Sequence, residues 1–104
     1  MIYSAETVEA ARRYTADKLF FSPTSITENG KIGASKDEVH ILLIQTMLEN
    51  ARQAYMLCDH EKIVPHCSRH LCDLACVTAA ITDFPFASGT QEEFDSVHFI
   101  HLSE

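Results

Sequence analysis

The segment Tyr55-Met-Leu-Cys-Asp-His-Glu-Lys62 and the later segment Ala80-Ile-Thr-Asp83 share one pattern. Each is a short apolar run that ends abruptly in a carboxylate, and the first has a lysine three positions further on. Short apolar runs of this kind predict buried strands. Because open α/β sheets bind ligands at the carboxyl ends of their strands, Asp59, Lys62 and Asp83 become candidate ligand-binding residues. The alternative is that both aspartates begin polar loops and that the lysine is solvated.

Outward from these segments, helical and strand patterns alternate along the chain. The predicted helices are 4–14, 37–51 and a short one after the capping-box pattern Thr90-Gln-Glu-Glu93. The predicted strands are 18–21, 53–58, 77–82 and 97–102. Residues 23–35 are predicted to form a loop with a turn at Asn29-Gly30, and 60–74 stay unassigned because Pro65 interrupts any regular element. The alternation predicts an α/β fold with a mainly parallel sheet and flanking helices.

Hydroxyl side chains follow the first predicted strand. Ser22 would lie just beyond its end, and the next loop would offer Thr24, Ser25 and backbone N–H groups to a sugar or a phosphate. A lysine can hold a phosphate as a point charge. The predicted ligand-binding residues are therefore Ser22, Thr24, Ser25, Asp59, Lys62 and Asp83.

Five short motifs follow one another in a recognisable order. They are Asp-Lys-Leu-Phe-Phe-Ser (17–22), Glu-Asn-Gly-Lys (28–31), Leu-Cys-Asp-x-x-Lys (57–62), Leu-Cys-Asp-Leu (71–74) and Ile-Thr-Asp (81–83). Their order and spacing over residues 4–83 resemble the C-terminal effector domain of the DeoR family of bacterial sugar-metabolism repressors. The resemblance assigns Asp59 and Lys62 to the family's Asp-x-x-Lys motif and Asp83 to its Thr-Asp motif.

This resemblance implies a fold similar to phosphosugar isomerases and coenzyme A transferases, and a sensor of a phosphorylated sugar or related metabolite. It also implies that the first part of the effector domain and a DNA-binding winged helix-turn-helix lie outside these residues. The sequence has no Gly-rich phosphate cradle and no Gly-x-Ser-x-Gly motif, so we expect no enzymatic activity and no catalytic residue. An isomerase-like enzyme and an oligomerisation module without a ligand remain alternatives.

Composition restricts the class of protein further. With 104 residues, the chain is expected to form a single domain, 1–104. The net charge of −7 and a single basic doublet, Arg12-Arg13, argue against direct nucleic-acid contact by this chain. The N-terminus lacks a basic region followed by an apolar stretch, and no apolar run approaches the ~20 residues that cross a bilayer. We therefore expect a cytoplasmic protein without membrane contact.

Histidines and cysteines gather between positions 60 and 76, and four such ligands could hold zinc. The members are His60, His66, Cys67, His70, Cys72 and Cys76. No Cys-x-x-Cys pair occurs, and the adjacent His66 and Cys67 are poorly placed for one metal ion. We expect no metal, no cofactor and no disulfide, with the cysteines as free thiols.

The helix predicted at 37–52 is apolar around most of its circumference. Its polar residues Glu38, Gln45, Glu49 and Arg52 fall in one narrow stripe. A helix of this kind must be covered on two sides, either by neighbouring segments such as 60–74 or by another subunit. We expect a homo-oligomer with this helix near the contact.

Overall fold

The computed structural model describes residues 5–34 and 37–103. The helices are α1 (Ala5–Ala11), α2 (Glu38–Asn50) and α3 (Ser88–Glu93). The strands are β1 (Ala16–Phe21), β2 (Ser25–Ile26), β3 (Lys31–Gly33), β4 (Ala51–Cys58), β5 (His70–Asp73), β6 (Ala79–Thr82) and β7 (His98–His101). Single 3-10 turns cover His60–Lys62 and Leu74–Cys76. Among the described helices, none is long and apolar enough to cross a bilayer.

The main sheet contains four parallel strands in the order β1-β4-β6-β7. Leu57 pairs with Ile81, and Ile81 with Ile100, so the carboxyl ends of these strands lie at one edge. All four correspond to strands expected from the sequence. The predicted α/β fold, with a mainly parallel sheet and flanking helices, is confirmed.

A second sheet of three antiparallel strands, β2-β3-β5, was not expected. It occupies part of 23–35, where a loop was predicted, and part of the unassigned segment 60–74. Strands of two to four residues are too short to show an alternating pattern, which explains why the prediction was wrong here. The turn expected at Asn29-Gly30 does join β2 to β3, and Gly30 has a φ of 90°.

The hydrophobic core lies between α2, the second sheet and one face of the main sheet. Side chains alternate along each strand, so Leu19 and Phe21 of β1 and Ala54 and Met56 of β4 all point into this core. The largest fully buried side chains are Ile26, Ile32, Met56 and Leu74. The opposite face of the main sheet carries apolar residues that are partly exposed, including Phe20.

Helix α2 begins at Glu38 because the Asp37 side chain accepts bonds from the N–H groups of the first turn. Ser4 and Ser35, which could cap the predicted helices 4–14 and 37–51, lie outside the described residues. The helix packs on α1, β1 and β4. On its remaining side Gln45 Nε2 donates to the Leu71 carbonyl at 3.3 Å. Segment 60–74 therefore contacts the helix at Gln45, whereas the apolar Leu42 of α2 remains 48% exposed.

The short helix α3 begins earlier than its capping-box pattern predicted. It starts at Ser88, with Ala87 at the cap position and no side-chain capping bond. The Thr90 hydroxyl instead donates to the Glu28 carbonyl at 3.1 Å, which ties α3 to the turn between β2 and β3. A tertiary contact has taken the hydroxyl that the pattern assigned to local capping.

Candidate functional site

A cleft of about 450 Å³ opens at the carboxyl edge of the main sheet. Three of the candidate residues line it together: Ser22 after β1, Asp59 after β4 and Asp83 after β6. The other lining residues are Leu57, Cys58, Ile81, Leu102 and Ser103. The parallel register aligns the strand ends, so polar residues 24 to 61 positions apart meet in one place.

Asp59 lies where β4 turns into the 3-10 turn His60–Lys62. Its Oδ1 accepts a bond from the Glu61 N–H at 2.9 Å, so the carboxylate caps the turn. A capping carboxylate keeps acceptor sites for other donors, since each of its oxygens has two lone pairs. Asp59 is exposed and lines the cleft, so its carboxylate can still accept hydrogen bonds from a ligand there.

Asp83 is held by His60 from the neighbouring turn. The His60 N–H donates to Asp83 Oδ1 at 2.7 Å, and the His60 ring Nδ1 lies 2.8 Å from Asp83 Oδ2. The hydrogen bond to Asp83 raises the pKa of His60 above its ordinary value. The same hydrogen bond lowers the pKa of the Asp83 carboxyl. The pair joins the ends of β4 and β6 beside the cleft.

His101 touches the same turn from β7. Its Nε2 lies 3.1 Å from the Asp83 carbonyl oxygen. A carbonyl can only accept, so His101 Nε2 carries the hydrogen and donates it. The sequence assigned no role to His60 or His101 in the ligand site. Their contacts with Asp83 depend on which strands become neighbours, which the sequence does not show. His60 does directly follow Asp59 in the segment Tyr55–Lys62.

The remaining candidates lie elsewhere. Lys62 is half-buried at the end of the 3-10 turn and is not among the residues that line the cleft. Thr24 is exposed in the loop before β2. Ser25 belongs to the second sheet, where its hydroxyl donates to Cys67 Sγ at 3.4 Å. The structure therefore brings Ser22, Asp59 and Asp83 together, and not Thr24, Ser25 or Lys62.

The cysteines differ in exposure and acidity, and all are free thiols. Burial, together with the charge of Asp59, raises the pKa of the Cys58 thiol in the cleft wall to about 11. Its proton is therefore retained at neutral pH, which makes it a poor nucleophile. Cys76 is exposed, and a hydrogen bond with Cys72 lowers its pKa. Within 5–34 and 37–103, no group of His, Cys, Asp and Glu is gathered as a metal site.

Among curated proteins, none matches the sequence. The sequence model described as "DeoR C terminal sensor domain" matches residues 1–84. The matched region includes β1, β4 and β6, together with Ser22, Asp59 and Asp83, whereas α3 and β7 lie beyond it. The chain therefore belongs to the family of DeoR C-terminal sensor domains.

Proposed function

We propose that this chain senses a phosphorylated sugar or a related small metabolite, as the effector domain of a DeoR-type bacterial repressor. The observation that carries the proposal is the convergence of Ser22, Asp59 and Asp83 at one cleft. Membership of a sensor-domain family supports effector binding in general. The carboxylates and the hydroxyl of the cleft support the sugar part of this ligand.

Acceptor groups dominate the polar part of the cleft. Asp59 and Asp83 supply carboxylate oxygens and Ser22 a hydroxyl, while no lysine or arginine is among the lining residues. Such a surface suits the hydroxyl groups of a sugar, which can donate to carboxylates. A phosphate would be repelled by the two carboxylates unless a cation lay beside it.

Lys62 is the cation assigned to the phosphate in this proposal. It is the last residue of the 3-10 turn that Asp59 caps, so its backbone is fixed close to the cleft. The lysine stem is long and flexible enough to move the ammonium toward a bound anion. Thr24 and Ser25 remain proposed contacts through the loop that follows Ser22.

Enzymatic turnover is not part of the proposed function. The His60–Asp83 pair is the feature that would favour an isomerase-like enzyme, because a carboxylate can move a proton between sugar carbons. However, the hydrogen bond between His60 and Asp83 lowers the pKa of Asp83, and a carboxylate whose acid has a lowered pKa is a weak base. Catalytic bases usually have pKa values tuned toward the working pH.

The proposal also covers partners and location. The chain would act as a homo-oligomer. It would not touch DNA, because its net charge of −7 is repelled by the phosphate backbone. A transcription regulator meets its metabolite in the bacterial cytoplasm, so the proposed location is cytoplasmic. An oligomerisation module that binds no ligand is the competing function, and ligand titration separates the two.

A thermal-shift panel tests the proposal. Sugar phosphates, the corresponding free sugars and inorganic phosphate are each added to the wild-type chain, because a ligand that binds the native state raises its melting temperature. At least one sugar phosphate should raise the melting temperature. Neither the corresponding free sugar nor inorganic phosphate should raise it as much. Lys62→Gln should remove most of the response, whereas Lys31→Gln, a change of an exposed lysine on β3, should leave it intact.

Two results would contradict this function. One is a panel in which no sugar phosphate shifts the melting temperature, which favours the module without a ligand. The other is conversion of an aldose phosphate into a ketose phosphate by the wild type and not by Asp83→Asn, which favours the enzyme. An intact response in Lys62→Gln would remove Lys62 from the site without affecting the sensor function.

A further inference from the structure

Two cysteines lie on either side of one short turn. Cys72 belongs to β5, and Cys76 is the last residue of the 3-10 turn Leu74–Cys76 that follows it. A side-chain hydrogen bond joins their thiols. Neither cysteine lines the cleft at the carboxyl edge of the main sheet. The proposed sensor function therefore gives this pair of thiols no role.

Hydrogen bonds fix the backbone of the turn that separates the two thiols. Asp73 Oδ1 accepts a bond from the Ala75 N–H at 2.9 Å, and the Leu74 carbonyl accepts one from the Val77 N–H at 3.2 Å. Leu74 is fully buried, and its own N–H donates to the Gly30 carbonyl at 2.9 Å. The proximity of the two thiols therefore follows from a fixed backbone that is anchored in the core.

The two cysteines differ in their access to water. Cys72 is half-buried and packs against the core, where a cysteine acts as a small apolar residue. Cys76 is exposed, so it buries little apolar area and packing does not account for it. A reagent dissolved in water can reach Cys76, with Cys72 in hydrogen-bonding contact with the sulfur that it meets.

The hydrogen bond between the thiols also makes their acidities unequal. It lowers the pKa of Cys76, although desolvation and the charge of Asp73 act in the opposite direction. The same bond raises the pKa of Cys72, which favours the protonated thiol there. Because the thiolate is the nucleophile, Cys76 is the cysteine that attacks an oxidant. A reactive cysteine with a second thiol beside it is the arrangement found in redox sensors.

We propose that Cys76 and Cys72 form a reversible oxidation site, at which a hydroperoxide converts the two thiols into a disulfide within the chain. In the first step the Cys76 thiolate attacks the O–O bond of the peroxide. That bond breaks, one oxygen stays on sulfur as a sulfenic acid, and the other takes up a proton and leaves as an alcohol, or as water from hydrogen peroxide.

The second step closes the disulfide. The Cys72 sulfur attacks the sulfur of the Cys76 sulfenic acid, an S–S bond forms, and the hydroxyl group leaves with the Cys72 proton as water. The two electrons that the sulfur atoms lose are the two that the peroxide gained. The thiols already touch across the turn, so the sulfur atoms have only to close to the ~2 Å of a disulfide bond.

The other two cysteines provide internal controls, because their sulfur atoms contact oxygen atoms. The buried Cys58 donates to the Asp59 carbonyl at 3.3 Å. Cys67 donates to the Lys31 carbonyl at 3.3 Å and accepts a bond from the Ser25 hydroxyl at 3.4 Å. We expect both of these thiols to remain reduced while the pair is oxidised.

The disulfide should be easy to reduce again. Disulfides that form in a reducing cytoplasm are usually transient, and exposed disulfides have more oxidising potentials than buried structural ones. Because the sulfur of Cys76 lies at the surface, a small thiol such as glutathione can attack it there. The oxidation site does not depend on the sugar-phosphate ligand, so it can be tested without one.

Tryptic peptide mapping tests the proposal directly. Cleavage after lysine and arginine places Cys72 and Cys76 together in the peptide 70–104, and the other cysteines in 53–62 and 63–69. The reduced wild type is treated with a small excess of hydrogen peroxide, alkylated with iodoacetamide in urea and digested without reductant. Peptide 70–104 should lose two hydrogen atoms and escape alkylation, while the other two peptides are alkylated. Dithiothreitol should restore its alkylation.

Three variants assign the roles within the pair. Cys76→Ser should abolish both the sulfenic acid and the disulfide. Cys72→Ser should stop the reaction at the sulfenic acid of Cys76, which dimedone traps as a stable adduct. Cys67→Ser is the matched control and should form the disulfide as the wild type does. Circular dichroism of each variant checks that it is folded.

Several results would overturn the proposal. One is full alkylation of peptide 70–104 after peroxide treatment, which means that neither of its thiols was oxidised. Another is a cross-link between 63–69 and 70–104, which makes Cys67 the partner, or a link between two copies of 70–104, which places the disulfide between chains. Accumulation of sulfinic acid on Cys76 in the wild type would show that Cys72 does not trap the sulfenic acid.

Discussion

His60 and Asp83 join two strand ends through a two-point contact. The backbone N–H and the ring Nδ1 of His60 reach different oxygens of one carboxylate, at 2.7 and 2.8 Å. The turn after β4 and the turn after β6 therefore share one ion pair at the mouth of the cleft. A ligand that bound there would meet a carboxylate whose orientation is already fixed.

The first prediction concerns pH. The pKa of His60 is raised, so its contribution to stability is complete below its unfolded pKa near ~6.5 and disappears as the pH rises through the folded value. The pKa of Asp83 is lowered, so its contribution is present above ~4 and disappears as the pH falls through the folded value. The melting temperature of the wild type should exceed that of His60→Gln by the largest margin near pH 5. A difference that stays constant up to pH 9 would contradict the ion pair.

The second prediction concerns the turn between β2 and β3. Gly30 has a φ of 90°, and a Cβ there would lie 2.6 Å from the Phe94 ring. Gly30→Ala should therefore lower the free energy of unfolding by about 1–3 kcal/mol. Gly89→Ala is the matched control, since its Cβ would meet nothing within 4 Å. In helix α3 it should stabilise by up to ~1 kcal/mol. Urea denaturation measures both, and equal effects would argue against this turn geometry.

The third prediction concerns thiol reactivity. Cys76 is exposed and has a lowered pKa, so iodoacetamide at pH 7.5 should modify it well before Cys58. Cys58 is buried and its pKa is raised to about 11, so it should react at an appreciable rate only in urea. Peptide mass spectrometry after short labelling times gives the order. Cys76→Ser should remove the fast phase, and early labelling of Cys58 would mean that the cleft wall opens in the native state.

The fourth prediction concerns the core beneath the cleft. Met56 is fully buried on β4, whereas its neighbour Leu57 points to the opposite face of the main sheet and is 44% exposed. Met56→Ala should cost about 2–5 kcal/mol of unfolding free energy, because it leaves a cavity that the surrounding core fills only in part. Leu57→Ala should cost less, since much of this side chain already contacts water. Denaturant midpoints compare the two, and similar losses would place Leu57 in a covered environment.

The sequence predicted the parts of the fold that depend on long patterns. Apolar runs ending at Cys58 and Thr82 marked two central strands, and their trailing aspartates do meet at one edge. The second sheet escaped prediction because pairs such as Ser25–Ile26 have no periodicity of their own. The place of Lys62 could not be predicted, because a 3-10 turn decides which way its side chain leaves the backbone. The contact between His60 and Asp83 depends on tertiary pairing alone.

The order of strands in the main sheet has a consequence for synthesis on the ribosome. Spatial order β1-β4-β6-β7 is also chain order, so each new strand adds to the edge left by the one before it. Among the described strands of this sheet, none must wait for a later one to be inserted between earlier partners, which favours folding during chain elongation. A nascent chain that has emerged as far as β6 can already hold Ser22, Asp59 and Asp83 at a common edge, before β7 is added.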